Sequence, residues 1–453
     1  MPDRSSAPPH SEAAVQHLEL RTGIWHDDRP LPLHFPPGWE VRCHWPRTPP
    51  PLDEAEIRRR IEHPVGQPPL EILAHGASRV CIVTDDLSRP TPVHRLLPFL
   101  LEQLAAAGVG HERVRIVVGT GTHGDQDQDS LRRKLGPEAE HCQVLIHNDL
   151  RHTRRIGKTS FGTPVHVNRD VLECDLVIGI GGVYPQHTTG FGGGGKLALG
   201  VLGRRSIVGL HFGHPSMGGR YNVDNDFRRD VTEMAQMIGL KTIYVTHIDA
   251  HSNIVNLFAG DYLQYYDEAA RFSLEAYRAP LPEDADVVIA NAYPLDTSLT
   301  FMRKSYKPLA EAPRAMMKIM IASAHEGLGH HGLFQHVRPS RMMRLRRLQR
   351  RLLALGPRGV ARKLGEKIAR RLHRRRPAPV ATGNEPQQPK AIPRNTDHLW
   401  LYCTSAAAAN LPPVEGMTVL TDWDQVLAAI HERFPERSAL KVDLYPCAPL
   451  QTF

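Results

Sequence analysis

Short apolar strands alternate with amphipathic helices along this chain of 453 residues, and that alternation restricts the possible folds most strongly. RVCIVTDD (79–86) is typical of a strand, VHRLLPFLLEQLAAAG (93–108) of a helix, and RVRIVVGTG (113–121) of the next strand. The strands are continuous runs rich in β-branched residues, which indicates that both of their faces are buried. The sequence therefore predicts an α/β fold in which helices cover both faces of a parallel sheet.

The same alternation occurs a second time further along the chain. The second series begins at ADVVIANA (285–292) and ends at LKVDLYP (440–446). The Pro-containing stretch RAPLPED (278–284) precedes it and is typical of a domain boundary. We therefore predict two Rossmann-like α/β domains, residues 1–282 and 283–453, with the active site in the cleft between them.

One segment of the second half carries the positive charge of the chain. The formal net charge is +8, but sixteen Lys or Arg residues and one acid, Glu366, lie from Arg338 to Arg376, so this segment carries +15 and the remainder −7. We interpret residues of about 337–394 as a basic insertion in the second domain. Such a segment can contact RNA or a membrane surface. An alternative function is therefore that of a non-catalytic nucleotide- or RNA-binding protein that uses residues 338–376. A solvated surface helix is the simpler interpretation, because no aromatic residues are interleaved with the arginines.

Several classes of protein are disfavoured by composition. The N-terminal MPDRSSAPPHSEAAVQH has no basic stretch followed by an apolar one, so we expect no secretory signal. The most apolar helical run contains Glu102 and Gln103 and is too short to be a transmembrane segment. Six scattered cysteines without C-x-x-C pairs argue against a zinc knuckle or a disulfide framework. We expect a soluble, cytoplasmic protein.

A glycine-rich loop, HTTGFGGGGKLALG (187–200), follows a predicted strand. Residues 190–196 fit the first seven positions of the phosphate-binding loop G-x-x-x-x-G-K. Such a loop needs Ser or Thr next, to hold magnesium, but this chain has Leu197, which argues against a nucleotide triphosphatase. Glycines let a ligand approach the backbone closely, and Lys196 needs a role other than neutralising a triphosphate.

Other polar clusters are also expected at strand ends. VTDDLSRPTP (83–92) contains two acids and an arginine, and GTGTHGDQD (119–127) contains a histidine. SIVGLHFGH (206–214), which we predict to be another strand end, contains His211 and His214. Because ligands of open α/β sheets bind beyond the carboxyl ends of the strands, we expect these loops to converge on one cleft.

Taken in order, the motifs DDLSRP, GTH, H-x(2)-GFGGGGK, the strand-end His211 and NVDNDFRRDVTEMA resemble the nickel-dependent lactate racemase family. The resemblance continues in NAYPLDTSLTFMRKSYKPL (291–309) and HEGLGHHG (325–332). It runs from about residue 18 to the C-terminus, except for the basic insertion. It implies an isomerase that racemises or epimerises a small 2-hydroxy acid by reversible hydride transfer through a 2-keto acid.

The resemblance also implies a cofactor, a nickel-pincer nucleotide. This group is a pyridinium mononucleotide with two sulfur substituents and a carbon-bound nickel, covalently attached here to Lys196, and the enzymes that make it would be partners. His211 would be a further nickel ligand, although a spacing one residue shorter than the family's keeps His214 open as the ligand. Residues 1–282 would then form the cofactor-binding and catalytic domain. The remaining expected cofactor contacts are Asp86, Gly193 and Gly194.

The resemblance assigns the substrate-facing residues as well. His123 and His187 match the two acid/base histidines, and two such groups suit a near-symmetric reaction at neutral pH. Arg89 and Lys304 would bind the substrate carboxylate, the arginine in a bidentate fork. Phe301 stands where lactate-acting members have glutamine, so we expect a substrate that is larger or more apolar than lactate, or a sugar-acid-like substrate.

Overall fold

The structure is a computed structural model that describes residues 17–214, 219–332 and 392–453. The basic segment 338–376, and with it nearly all of the insertion predicted at about 337–394, lies outside the described residues. The nucleotide- or RNA-binding alternative that depends on this segment therefore stays a hypothesis. Within the described ranges no helix combines the length and the apolar character that crossing a membrane requires.

Strands and α-helices are numbered in chain order within these ranges. The strands are β1 (His17–Thr22), β2 (Arg29–His34), β3 (Glu40–Cys43), β4 (Val80–Asp85), β5 (Val114–Gly119), β6 (Gln143–Ile146), β7 (Thr153–Lys158), β8 (Pro164–Asn168), β9 (Leu176–Gly182), β10 (Pro185–Gln186), β11 (Gly190–Phe191), β12 (Leu240–Ile248), β13 (Ile254–Asp261), β14 (Val287–Asn291), β15 (Met317–Ala322), β16 (Leu399–Cys403), β17 (Met417–Leu420) and β18 (Lys441–Tyr445). The helices are α1 (Glu54–Glu62), α2 (Leu70–Leu73), α3 (Leu97–Ala106), α4 (Gln128–Leu135), α5 (Arg169–Leu172), α6 (Arg204–Gly213), α7 (Asp226–Ile238), α8 (Tyr262–Ala276), α9 (Leu299–Met302), α10 (Tyr306–Glu311) and α11 (Trp423–Arg433).

The first large sheet has six strands in the order β13-β12-β9-β4-β5-β6. The strands from β12 to β6 are parallel, and β13 pairs with β12 in the antiparallel direction at one edge. Successive residues of β4 enter different apolar layers, because Ile82 packs in the cluster that contains α3, and Cys81 and Val83 pack in the cluster that contains α7. This two-sided burial explains the continuous apolar run in the sequence.

The second large sheet has the order β17-β16-β15-β14-β18-β3, and its strands are all parallel. The predicted α/β class with parallel sheets is confirmed. The strand β3 comes from the N-terminal part of the chain but pairs with β18. The division into domains at 1–282 and 283–453 stays a prediction, and β3 shows that the second sheet also takes in residues from before that boundary.

The segment SIVGLHFGH was predicted to be a strand end, and this prediction is wrong. The structure has the helix α6 there, which carries His211 near its C-terminal end. Ile207 and Leu210 are its buried apolar residues, three positions apart on one helical face. A run of four or five mostly apolar residues does not distinguish a strand from a buried helix, which is why the sequence pattern was ambiguous.

The glycine-rich loop takes conformations that favour glycine. Gly193 and Gly194 have φ angles of +73° and +56°, and a 3₁₀-helix, Gly194–Val201, begins there. A Cβ atom on Gly194 would lie 2.6 Å from Cδ2 of Tyr266, a buried residue of α8. This glycine therefore has a packing role that does not depend on any ligand.

We predict that Gly194→Ala lowers the free energy of unfolding by about 2–5 kcal/mol, from a left-handed backbone and from overpacking against Tyr266. Gly239→Ala is the matched control, because Gly239 has a φ of +81° but no atom lies within 4 Å of its added Cβ. In the control, only the left-handed backbone contributes, so the free energy of unfolding should fall by about 1–2 kcal/mol. Urea unfolding of both variants measures the difference, and equal losses would show that Tyr266 does not constrain the loop.

Candidate functional site

A cavity of about 420 Å³ lies where loops after strands of both large sheets meet. Nine of the ten site residues predicted from the sequence line it, and they follow β4, β5, β9 and β14 or belong to the glycine-rich loop and α6. These nine are Asp86, Arg89, His123, His187, Gly193, Lys196, His211, Phe301 and Lys304. The tenth, Gly194, packs against Tyr266, and its contact with a cofactor stays a prediction. The loops after β4, β5 and β9 thus meet at one cavity, as expected, whereas His211 reaches it from the helix α6 and not from a strand end.

His123 is held by the buried carboxylate of Asp86. Nδ1 of His123 lies 2.5 Å from Oδ2 of Asp86, and the Ser88 hydroxyl donates to the other carboxylate oxygen at 2.5 Å. Burial raises the pKa of Asp86, but the His123 imidazole and the Arg89 guanidinium outweigh it and hold that pKa below its usual range. An ionised Asp86 accepts the Nδ1 proton, so Nε2 is left to accept a proton. The sequence reasoning assigned Asp86 to the cofactor and missed this pairing.

Arg89 lies beside a buried tyrosine that the sequence reasoning also missed. The Arg89 side chain donates to the Ser88 carbonyl at 2.9 Å, and its guanidinium carbon lies 5.4 Å from the centre of the Tyr184 ring. The Lys304 ammonium lies 5.8 Å from the same ring centre. Tyr184 therefore contacts both groups that were predicted to bind a carboxylate. Its only signal in the sequence is its place directly after β9.

Phe301 forms an apolar wall of the cavity next to His123. Their ring centres are 5.0 Å apart and nearly perpendicular, and the Arg89 guanidinium carbon lies 5.8 Å from the centre of the phenyl ring. Phe301 is buried, with its main-chain N–H held by the Ser298 cap at the start of α9. The Phe301 side chain thus contacts a predicted acid/base residue and a predicted carboxylate ligand.

Lys196 lines the cavity within the short 3₁₀-helix that follows the glycines. Burial, Arg89 and Arg228 lower the pKa of its ammonium to about 7. At neutral pH a large fraction of this amine is therefore uncharged. An uncharged lysine amine is a nucleophile, which is the property that covalent attachment of a ligand requires.

His211 has the geometry of a metal-binding imidazole. Its Nδ1 lies 2.8 Å from the Ile207 carbonyl oxygen, so Nδ1 donates and Nε2 keeps its lone pair. Burial lowers the pKa of His211 to about 4, which keeps the ring neutral at pH 7. His214 is different, because its Nε2 lies 2.7 Å from the buried Asp230 carboxylate and it does not line the cavity. Of the two histidines predicted as a metal ligand, His211 lines the cavity and His214 does not.

The other histidines considered from the sequence have separate surroundings. His147 is buried away from the cavity, with its ring nitrogens 3.1 Å from the Leu202 carbonyl and from Nδ2 of Asn168. His331, to which the sequence assigned no role, lines the cavity with its ring centre 5.0 Å from that of His123. His187 is open to the cavity, and burial, Lys304 and Arg220 lower its pKa below the ordinary value.

A fully buried lysine fixes the loop that carries Asp86 and Arg89. Nζ of Lys134 donates to Asp85 at 2.7 Å, to the Asp86 carbonyl at 2.8 Å and to the Arg89 carbonyl at 2.7 Å. Asp85 also accepts from the Thr91 hydroxyl at 2.5 Å. Three acceptors satisfy all three donors of the ammonium, so burial of this charge is compensated.

We predict that Lys134→Met lowers the free energy of unfolding by about 3–5 kcal/mol, because it leaves Asp85 buried without its cation. The matched control is Lys241→Met: Lys241 is 63% exposed, and its Nζ lies 3.5 Å from Asp261. A surface pair of this kind contributes less than about 1 kcal/mol. Chemical denaturation of both variants tests the difference, and a small loss in Lys134→Met would contradict the account of this loop.

Comparisons with known proteins find similarity to lactate racemases. Residues 26–218 match the family described as "Lactate racemase N-terminal domain". The chain is 27% identical over 301 residues to lactate racemase of Lactiplantibacillus plantarum, and 26% identical over 303 residues to lactate racemase of Thermoanaerobacterium thermosaccharolyticum. These matches cover 63% and 64% of this chain and 70% of each relative. The lactate racemase apoprotein structure from T. thermosaccharolyticum has the same fold, with a TM-score of 0.64 at 21% identity over 96% of this chain and 99% of that one. Residues 26–218 therefore match the lactate racemase N-terminal domain family, and the chain is similar to racemases, a class of isomerases, over about two thirds of its length.

Proposed function

We propose that this protein racemises or epimerises a 2-hydroxy acid by reversible hydride transfer at C2, through a 2-keto acid, with a nickel-pincer nucleotide attached to Lys196. The observation that carries the proposal is the single cavity that contains nine of the ten residues assigned from the sequence. These residues supply imidazoles for proton transfer, cations for a carboxylate and a lysine with a lowered pKa. The similarity to lactate racemases supports the reaction class.

The donor groups of the cavity fit such a cofactor. Lys196 supplies an amine that is partly uncharged at neutral pH, and His211 supplies a neutral Nε2 donor. Among the described residues no group of three or more His, Cys, Asp or Glu side chains is arranged to hold a metal ion, so nickel at His211 would take its other ligands from the cofactor. Imidazole and sulfur donors suit nickel. The bound cofactor would take up the hydride from C2 and return it.

His123 would exchange the hydroxyl proton of the substrate. A histidine cannot deprotonate C2 directly, because that carbon is far too weak an acid, but it can take the proton of the hydroxyl group as the C2 hydride leaves. The product of that step is the carbonyl of a 2-keto acid, and Asp86 stabilises the imidazolium that forms. Reversal of the step at the opposite face gives the other enantiomer.

His187 would perform the same proton transfer for the opposite enantiomer. The cations that lower its pKa, Lys304 and Arg220, lie in the same cavity. An anionic substrate would offset these charges, so binding should raise the pKa of His187 towards neutral pH. Proton exchange by His187 is therefore expected only with the substrate in place.

Arg89 and Lys304 would hold the substrate carboxylate on either side of Tyr184. The planar guanidinium can donate two parallel hydrogen bonds to a carboxylate, whereas the lysine acts as a point charge. Phe301 offers no hydrogen bond next to them, and its ring faces His123 at 5.0 Å. This contact supports the proposal that the substrate is larger or more apolar than lactate.

The test is a screen of enantiopure 2-hydroxy acids with protein co-expressed with the enzymes that make the cofactor. Chiral chromatography should show racemisation, and the reaction in D₂O should leave protium at C2, because the same hydride returns to the carbon. His123→Gln and His187→Gln should each slow racemisation by about 10²–10⁴-fold. Incorporation of solvent deuterium at C2 would contradict hydride transfer.

Phe301→Gln is the comparison variant for the substrate. It should raise activity on lactate relative to activity on 2-hydroxy-4-methylpentanoate, because it restores a hydrogen-bonding amide and removes an apolar wall. If the wild type racemises lactate readily and the variant is no better, the interpretation of Phe301 is wrong.

A further inference from the structure

The cavity contains more basic side chains than the proposed reaction uses. Its walls carry five basic side chains and two carboxylates, and both carboxylates are engaged, one with Lys134 and one with His123. The proposed function uses three of the basic side chains, one to attach the cofactor and two for the substrate carboxylate. The five are Arg89, Lys196, Arg220, Arg303 and Lys304. Two arginines, Arg220 and Arg303, therefore remain for the phosphate of the mononucleotide and for one further anion.

Arg220 is held in position but is incompletely bonded. Its Nη2 donates to the main-chain oxygen of Lys304 at 2.8 Å, which fixes the guanidinium next to a predicted substrate ligand. Its Nη1 is buried, and no atom of the described residues accepts a hydrogen bond from it. A buried charged donor without an acceptor is costly, so this nitrogen indicates an anionic ligand in the occupied cavity.

Arg220 lies beside a residue that the proposed function assigns to the substrate. Its guanidinium is bonded to the main chain of Lys304, and both residues line the cavity together with His187. After burial and Lys304, Arg220 is also the next cause of the lowered pKa of His187. Arg220 is therefore placed next to a predicted ligand of the substrate carboxylate.

We propose that Arg220 binds a second acidic group of the substrate, so that the preferred substrates are 2-hydroxy acids with another carboxylate or a phosphate at the far end. The inference rests on the proposed function, which takes Arg89 and Lys304 to bind the first carboxylate. A guanidinium with one fixed edge and one free nitrogen selects an oxyanion of defined position. The second anion also makes the substrate larger than lactate.

The experiment compares substrates of equal chain length that differ in one acidic group, 2-hydroxyglutarate and 2-hydroxypentanoate. The wild type should have the higher kcat/KM for the diacid. Arg220→Met should lower kcat/KM about 10–100-fold more for the diacid than for the monoacid, since a hydrogen bond between charged groups is lost only with the diacid. Arg220→Lys should retain part of the preference.

Arg154→Met is the control for general electrostatic attraction, because Arg154 is exposed on β7 and does not line the cavity. It should leave the ratio of the two substrates unchanged. Melting temperatures establish that each variant is folded. Equal losses for both acids in Arg220→Met would show that Arg220 only supports Lys304, and would overturn the proposal.

A binding measurement keeps this inference separate from the proposed function. Calorimetric titration of cofactor-free protein with 2-hydroxyglutarate should show weaker binding to Arg220→Met than to the wild type, whereas a pyridinium mononucleotide should bind both equally. The proposal would be overturned if Arg220→Met lost only the binding of the mononucleotide. It would also be overturned if Arg220→Met bound 2-hydroxyglutarate as tightly as the wild type. Failure to racemise any 2-hydroxy acid would instead contradict the proposed function, and the titration would still decide the role of Arg220.

Discussion

The arrangement of the site depends on one buried ammonium group. Lys134 binds the Asp85 carboxylate and the carbonyls of Asp86 and Arg89, and its side chain is fully buried. Because the loop after β4 is fixed in this way, Asp86 faces His123 and Arg89 faces the cavity. The imidazole proposed as acid/base and the guanidinium proposed to bind a carboxylate thus depend on a residue that does not line the cavity.

The charge of the cavity explains the protonation states of its residues. Burial and neighbouring cations lower the pKa values of Lys196, Lys304 and His187, so the protein alone has an excess of positive charge there. Anionic ligands relieve this excess. In the proposed function, the same field would make the Lys196 amine reactive, attract a 2-hydroxy acid and raise the pKa of His187 once the acid is bound. One electrostatic feature would therefore link attachment of the cofactor to binding of the substrate.

The parts of the structure that the sequence predicted are those with a local signal. Both series of strands are continuous apolar runs, and the site residues belong to short motifs at strand ends. The missed elements lack such signals. The strand β3 has only four residues and pairs with β18, about 400 positions further along the chain. The helix α6 has too few apolar residues to show the helical period of 3.6. Lys134 lies among other basic residues and is indistinguishable in sequence from a surface lysine. Its burial follows from tertiary packing, as does the contact of Tyr184 with Arg89.

The mass of the Lys196 peptide tests most directly whether Lys196 is the covalent anchor of a nickel-containing nucleotide. Protein produced together with the cofactor-making enzymes should give a Lys196 peptide with an added mass and about one nickel per chain, and Lys196→Arg should give neither. An unmodified Lys196 peptide in protein that racemises a 2-hydroxy acid, or an adduct on a different residue, would contradict the account.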